Sequence, residues 1–259
     1  MVGLLVAGAC SGSLFAQTQF TLLHSFAGGP DDGSRPWGNS LISEGATLYG
    51  LSSNGGGNSY GTFFSIQIDG SGYTILHSFY ETTPDGAYPY GSLLLDGSSL
   101  YGMTAFGGYG TIFSTGTDGT GYTIIHDFSG GDDDGSQPMG SLISDGSTLY
   151  GTTYYGGTGG YNGYGTVFAI NPNGAGFTLL HSFVDGPDDG RMPFYGRLVL
   201  DGDRLFGMTK QGGFYGAGTV FSLQTAGDAF TLLHSFAYPP EGREPYYGRL
   251  ASDGACYYG

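Results

Sequence analysis

The sequence predicts an all-β fold, a β-propeller built of four-stranded antiparallel blades, and three regularities predict it. All five histidines, His24, His77, His126, His181 and His234, fall in a Leu/Ile-His-Ser/Asp-Phe tetrad at steps of 53, 49, 55 and 53 residues. A Leu-Tyr-Gly marker, or a variant of it, places its glycine 25 or 26 residues after each histidine, at Gly50, Gly102, Gly151, Gly207 and Gly259. A Gly-Thr-(Val/Ile/Phe)-Phe marker opens at Gly61, Gly110, Gly165 and Gly218, always 16 residues before the next histidine. A period near 50 with four short strand-like runs fits propeller blades better than solenoids, whose repeats are shorter.

The third repeat shows the elements in order. Residues 140–144 and 148–152 are apolar runs joined by Asp145-Gly146, a dipeptide suited to the positive φ of a tight hairpin. Residues 165–170 and 177–183 follow, joined by Asn171-Pro172-Asn173-Gly174. The matching first turns Glu44-Gly45, Asp96-Gly97, Asp201-Gly202 and Asp253-Gly254 assign most of these acids to turn chemistry. Four complete blades open near Gly38, Gly91, Gly140 and Gly196. A fifth is expected from both termini, with the first two strands from 248–259 and the fourth from 20–26. Gly12-Ser13-Leu14-Phe15-Ala16 matches the third-strand pattern, so five blades would close without exposed edges.

Composition sets outer bounds. With 259 residues the chain suits one all-β domain, and its 53 glycines and 11 prolines recur at fixed offsets as turns. Twenty-two acids against seven bases give a formal charge of -15, which repels a phosphate backbone and excludes nucleic acid as a partner class. No run of 18 apolar residues supports a transmembrane helix. Residues 1–16 are apolar and end in a small residue, like a secretory signal without its basic start, so 17–259 is the expected repeat domain. A monomer, secreted or at the cell surface, is the expected form.

The strings at 149–157 (Leu-Tyr-Gly-Thr-Thr-Tyr-Tyr-Gly-Gly), 163–174 (Gly-Tyr-Gly-Thr-Val-Phe-Ala-Ile-Asn-Pro-Asn-Gly) and 177–183 (Phe-Thr-Leu-Leu-His-Ser-Phe) resemble the GloVer-type tandem-repeat family. The resemblance runs over residues 19–259 and implies an exported, choice-of-anchor bacterial repeat protein. It implies no catalytic residue.

Spacing also says where a site should lie. The stretch from the Leu-Tyr-Gly glycine to the Gly-Thr glycine varies over 11, 8, 14 and 11 residues, so it is a surface loop. It emerges on the same side as the interblade links. Candidate ligand-binding residues are the loop tyrosines Tyr60, Tyr109, Tyr154, Tyr155, Tyr164 and Tyr215 and the link carboxylates Asp32, Asp133 and Asp189. Rings offer flat stacking surfaces, and carboxylates accept from hydroxyls or hold a hard cation. The composition therefore favours an extracellular glycan or surface protein as ligand, with calcium the one cofactor it suggests. Asp132-Asp133-Asp134-Gly135 lacks the alternating spacing of an EF-hand loop. No carboxylate pair breaks the repeat pattern, so a binding module is expected rather than its rival, a polysaccharide hydrolase or lyase. The histidines, alternating with apolar residues such as Leu179 and Phe183, are expected to be structural and hydrogen-bonded.

Overall fold

The computed structural model describes residues 3–6, 20–37, 40–82, 84–158, 163–238, 244–245, 250–252 and 256–258. Four four-stranded antiparallel sheets succeed one another along them, each a meander in chain order. The first comprises Ile42–Glu44, Thr47–Ser52, Thr62–Gln67 and Thr74–Ser78; the second Leu94–Asp96, Ser99–Thr104, Thr111–Gly116 and Thr123–Asp127. The third comprises Ile143–Ser144, Leu149–Thr153, Thr166–Ile170 and Thr178–Ser182; the fourth Val199–Asp201, Arg204–Thr209, Thr219–Gln224 and Thr231–Ser235. No helix occurs among the described residues.

Register explains the sequence markers. The glycine of each Leu-Tyr-Gly pairs with the phenylalanine of Gly-Thr-X-Phe, as Gly50 with Phe64, Gly102 with Phe113, Gly151 with Phe168 and Gly207 with Phe221. The ring lies across the glycine so closely that a Cβ there would enter it. These four phenylalanines are at most 1% exposed, and burying each contributes about 1.5–3 kcal/mol. Beside them the hydroxyl pairs Ser52–Thr62, Thr104–Thr111, Thr153–Thr166 and Thr209–Thr219, at 2.7–2.8 Å, satisfy each other where the second strand turns into its loop.

The core is distributed between sheets. Leu48, Phe64 and Ile66 pack on Leu23 and Phe26; Tyr49, Leu51 and Phe63 pack on Leu100 and Phe113 of the second sheet. The second and third sheets, and the third and fourth, meet in the same way. First strands are shorter than the apolar runs suggest, because their leading residues bond to the neighbouring sheet instead. The Ser40 amide donates to Ser92 Oγ, the Ser92 amide to Ser141 Oγ, and the Ser141 amide to the Gly196 carbonyl oxygen. A Cβ on Gly91 would collide with the Gly140 carbonyl oxygen, so the sheets touch there backbone to backbone.

Two partial sheets flank the four. Gly3–Val6 pairs antiparallel with Thr21–Ser25, and Ala251–Ser252 with Tyr257–Tyr258. The partner of Thr21–Ser25 is thus Gly3–Val6. Residues 12–16, the expected third strand, lie outside the described residues.

The histidine strand departs from simple alternation. A bulge in each fourth strand pairs His181 with Val167 but Leu179 with Phe168, and likewise in the other three sheets. The bulge turns the imidazole toward the next sheet, where it stacks on a ring. The pairs are His24 on Tyr73, His77 on Tyr122, His126 on Phe177 and His181 on Phe230, with centroids 3.9–4.0 Å apart.

Candidate functional site

The links between sheets are built around a repeated latch. Nε2 of His24, His77, His126 and His181 donates to the carboxylate of Asp32, Asp85, Asp134 and Asp189, eight residues on, at 3.0, 2.9, 3.2 and 3.1 Å. The second carboxylate oxygen accepts the amide of Ala27, Tyr80, Ser129 or Val184, closing the link into a tight loop. Burial would raise the Asp32 carboxyl, but the Ala27 amide, the His24 imidazole and the Tyr73 hydroxyl outweigh it and hold the group below its ordinary value. Asp134 behaves alike, with burial outweighed by His126 and the Ser129 and Gly135 amides. The sequence reading offered Asp32 and Asp189 to a ligand; their oxygens are occupied by a histidine and by backbone amides, so their work is structural. Asp133 stays exposed in the turn before the latch.

Past the latch, each link lies against a variable loop in a short ladder: Gly33–Ser34 with Asn54–Gly55, Gly135–Ser136 with Tyr155–Gly156 and Gly190–Arg191 with Gln211–Gly212. Then comes a residue before proline in the left-handed region: Arg35, Tyr88, Gln137, Met192 and Glu244, with φ of 52–57°. Residues before proline prefer extended backbone, so this conformation needs support. Two-sided bonding supplies it. The Tyr88, Gln137, Met192 and Glu244 amides donate to the carbonyl oxygens of Tyr60, Tyr109, Tyr164 and Ala217 at 2.7–2.8 Å, and the carbonyls of Arg35, Tyr88, Gln137 and Met192 accept amides from the following loop.

A large side chain follows each of Pro36, Pro89, Pro138 and Pro193, namely Trp37, Tyr90, Met139 and Phe194. Tyr90 and Tyr195, from links two sheets apart, come into edge contact at 5.6 Å. They belong to a row of rings. Tyr60 meets Tyr88, Tyr88 meets Tyr90 and Phe106, Tyr195 meets Phe194, Phe194 meets Tyr154, and Tyr154 meets Tyr155, all with centroids 4.0–6.5 Å apart. Lys210 Nζ sits 5.8 and 5.2 Å from the Tyr154 and Phe194 centroids and adds a positive charge to the row's end. Burial raises the Tyr90 phenol above its ordinary value.

Of the six tyrosines the sequence suggested, Tyr60, Tyr154 and Tyr155 join this row. Tyr109 instead covers Gly130, Tyr164 packs on the core between the third and fourth sheets, and Tyr215 stands exposed against Phe214 at a loop tip. Sequence reasoning missed Tyr88, Tyr90, Phe194 and Tyr195. The available signal was a proline 12 residues past each of four histidines, followed by Trp37, Tyr90, Met139 or Phe194. Among the described residues no three His, Cys, Asp or Glu side chains gather as a cation cage, and no helix is long and apolar enough to cross a membrane.

A family model described as the Gloeobacter/Verrucomicrobia repeat matches residues 10–193 and 157–259. No curated protein matches the sequence. Solved structures of similar fold include one titled as a nidogen/laminin complex, at 16% identity and a TM-score of 0.50, covering 81% of this chain and 65% of that one. A putative TolB from Agrobacterium tumefaciens aligns at 13% identity and a TM-score of 0.50, covering 80% and 66%. The GH74 enzyme of Niastella koreensis aligns at 16% identity and a TM-score of 0.50, covering 83% and 32%. The chain spans less than two thirds of the length of each of these structures. The likeness establishes a propeller-like all-β fold.

Proposed function

Since the chain belongs to the Gloeobacter/Verrucomicrobia repeat family, we infer that it is an exported five-bladed propeller that binds an extracellular glycan without transforming it. The observation that carries this reading is the continuous row of half-buried rings from Tyr60 to Tyr155. Rings already held by their neighbours stack on sugar faces with little loss of side-chain freedom. Closure into five blades is supported by the C-terminal half-sheet, 251–252 with 257–258, which supplies the first two strands of a fifth blade, and by Thr21–Ser25, which supplies the fourth. Export is supported by the apolar run of residues 1–16.

The rival reading, a polysaccharide hydrolase, draws support from likeness to the GH74 enzyme and to a structure titled a GH43 β-1,3-galactosidase, the latter at 11% identity and a TM-score of 0.50. Against it, the buried link carboxylates Asp134 and Asp189 are committed to their latches. Titration with soluble polysaccharides separates the two. Binding that weakens at least tenfold in Tyr154→Ala and Tyr195→Ala, with unchanged melting and no release of reducing ends, is the expected result. Release of reducing ends by the wild type would select the hydrolase.

A further inference from the structure

The link between the first and second sheets departs from the other three. In those, the carbonyl oxygen three residues before the latch aspartate, that of Gly29, Gly131 or Gly186, accepts the amide of Gly56, Gly157 or Gly213 at 2.9–3.0 Å and clamps the link onto the loop. Here the link reads Tyr80-Glu81-Thr82, and the facing loop is the shortest of the four. Among the described residues no bond joins the Gly108 amide to Thr82 or Asp85. Link and loop stand apart, and a cleft of about 520 Å³ lies between them, a size suited to a small ligand.

Its walls are aromatic and its charge is negative. Tyr60 and Phe106 both face it, and both stand perpendicular to Tyr88, at 89° and 90°. Tyr80 covers a third side and remains 49% exposed. Glu81 is the one charged group in the lining, and its carboxylate lies close enough to the Tyr60 phenol to raise it above its ordinary value. At the fourth link the acid Asp185 is offset by Arg191 at 3.0 Å, whereas no basic residue lines this cleft. Ring faces carry negative potential, and a desolvated cation between several of them beside a carboxylate is held by both. The formal charge of -15 draws cations to the surface as a whole.

We propose that this cleft binds a small organic ammonium ion, its nitrogen among Tyr60, Tyr80 and Phe106 and beside Glu81. The site shares Tyr60 and Phe106 with the near end of the ring row but not Tyr154 at its far end, so Tyr154→Ala separates the two readings. Calorimetric titration of the full chain with choline and with its uncharged isostere 3,3-dimethylbutan-1-ol is the test. Choline is expected to bind at least tenfold more tightly than the isostere, to weaken about tenfold in Glu81→Gln and Phe106→Ala, and to bind Tyr154→Ala as it binds the wild type. Glu81 is exposed, so its substitution leaves the fold intact, and equal melting temperatures verify this. Equal affinity for choline and the isostere, no binding of either, or unchanged choline affinity in Glu81→Gln would overturn the proposal, whatever the polysaccharide titrations give.

Discussion

The link from the first sheet to the second and the link from the second to the third begin and end alike and differ only between. Both are latched by a histidine and an aspartate, His77–Asp85 at 2.9 Å and His126–Asp134 at 3.2 Å. Both finish on a left-handed residue before proline, Tyr88 or Gln137. Between these points one carries Glu81-Thr82 and leaves a cleft, while the other carries Gly130-Gly131 and is clamped to Gly157. The lesson is a division of labour. The latch holds the frame whatever the link contains, and a pair of residues decides whether the space above it is filled.

If that division is right, breaking the latch costs far more than altering the link. Asp134→Ala leaves His126 Nε2 and the Ser129 and Gly135 amides without their acceptor in a half-buried place, a loss of about 2–4 kcal/mol. Asp85→Ala should fall in the same range, since its link shares the latch despite the cleft. Urea unfolding at neutral pH measures both, and a loss below about 1 kcal/mol in either would mean the latch is dispensable.

Acid should loosen the latches from the same direction. Asp32 and Asp134 lie below their ordinary values when folded, and Asp145, despite some burial, is held to about 2 by the Ser147 amide, the Tyr150 hydroxyl and the Thr148 amide. A depressed carboxyl stabilises the fold above its unfolded value near 4 and gives that up as pH falls toward the folded value. Stability is therefore level from pH 7 to about 5 and declines below, by roughly 1 kcal/mol for exposed Asp145 once solvent screening is allowed for. Asp145→Asn should flatten the decline measured by urea midpoints between pH 5 and 2.5. An unchanged slope would show that the turn bonds contribute nothing.

The frame was legible in the sequence because its residues recur with fixed spacing: strand order, turns and the structural role of histidine all follow from it. The latch partner was not, because Asp32 and Asp189 sit among other acids, and composition alone cannot tell a carboxylate aimed at a histidine from one aimed at solvent. Nor was the ring row, since contact between Tyr90 and Tyr195 depends on closure across two sheets. The strongest local clue was negative. The loop at 103–109 is the shortest, and its link alone lacks glycine at the clamp position among those with an aspartate latch. Length variation locates the face, and the missing glycine locates the cleft.

The smallest effect is the sharpest test of the comparison. Replacing both Glu81 and Thr82 by glycine gives this link the composition of its neighbours while leaving the His77–Asp85 latch untouched. Two glycines cost about 1 kcal/mol of chain entropy, and one new backbone hydrogen bond returns a similar amount, so net stability should move by less than about 1 kcal/mol. The informative readout is local. If glycine lets the link lie down, the Gly108 amide gains an acceptor and its hydrogen exchange slows toward that of Gly157, already bonded to Gly131 at 2.9 Å. If exchange at Gly108 is unchanged, the short loop, and not the link, is what keeps the cleft open. Lengthening residues 103–109 to match the first sheet's loop would then be the substitution that closes it.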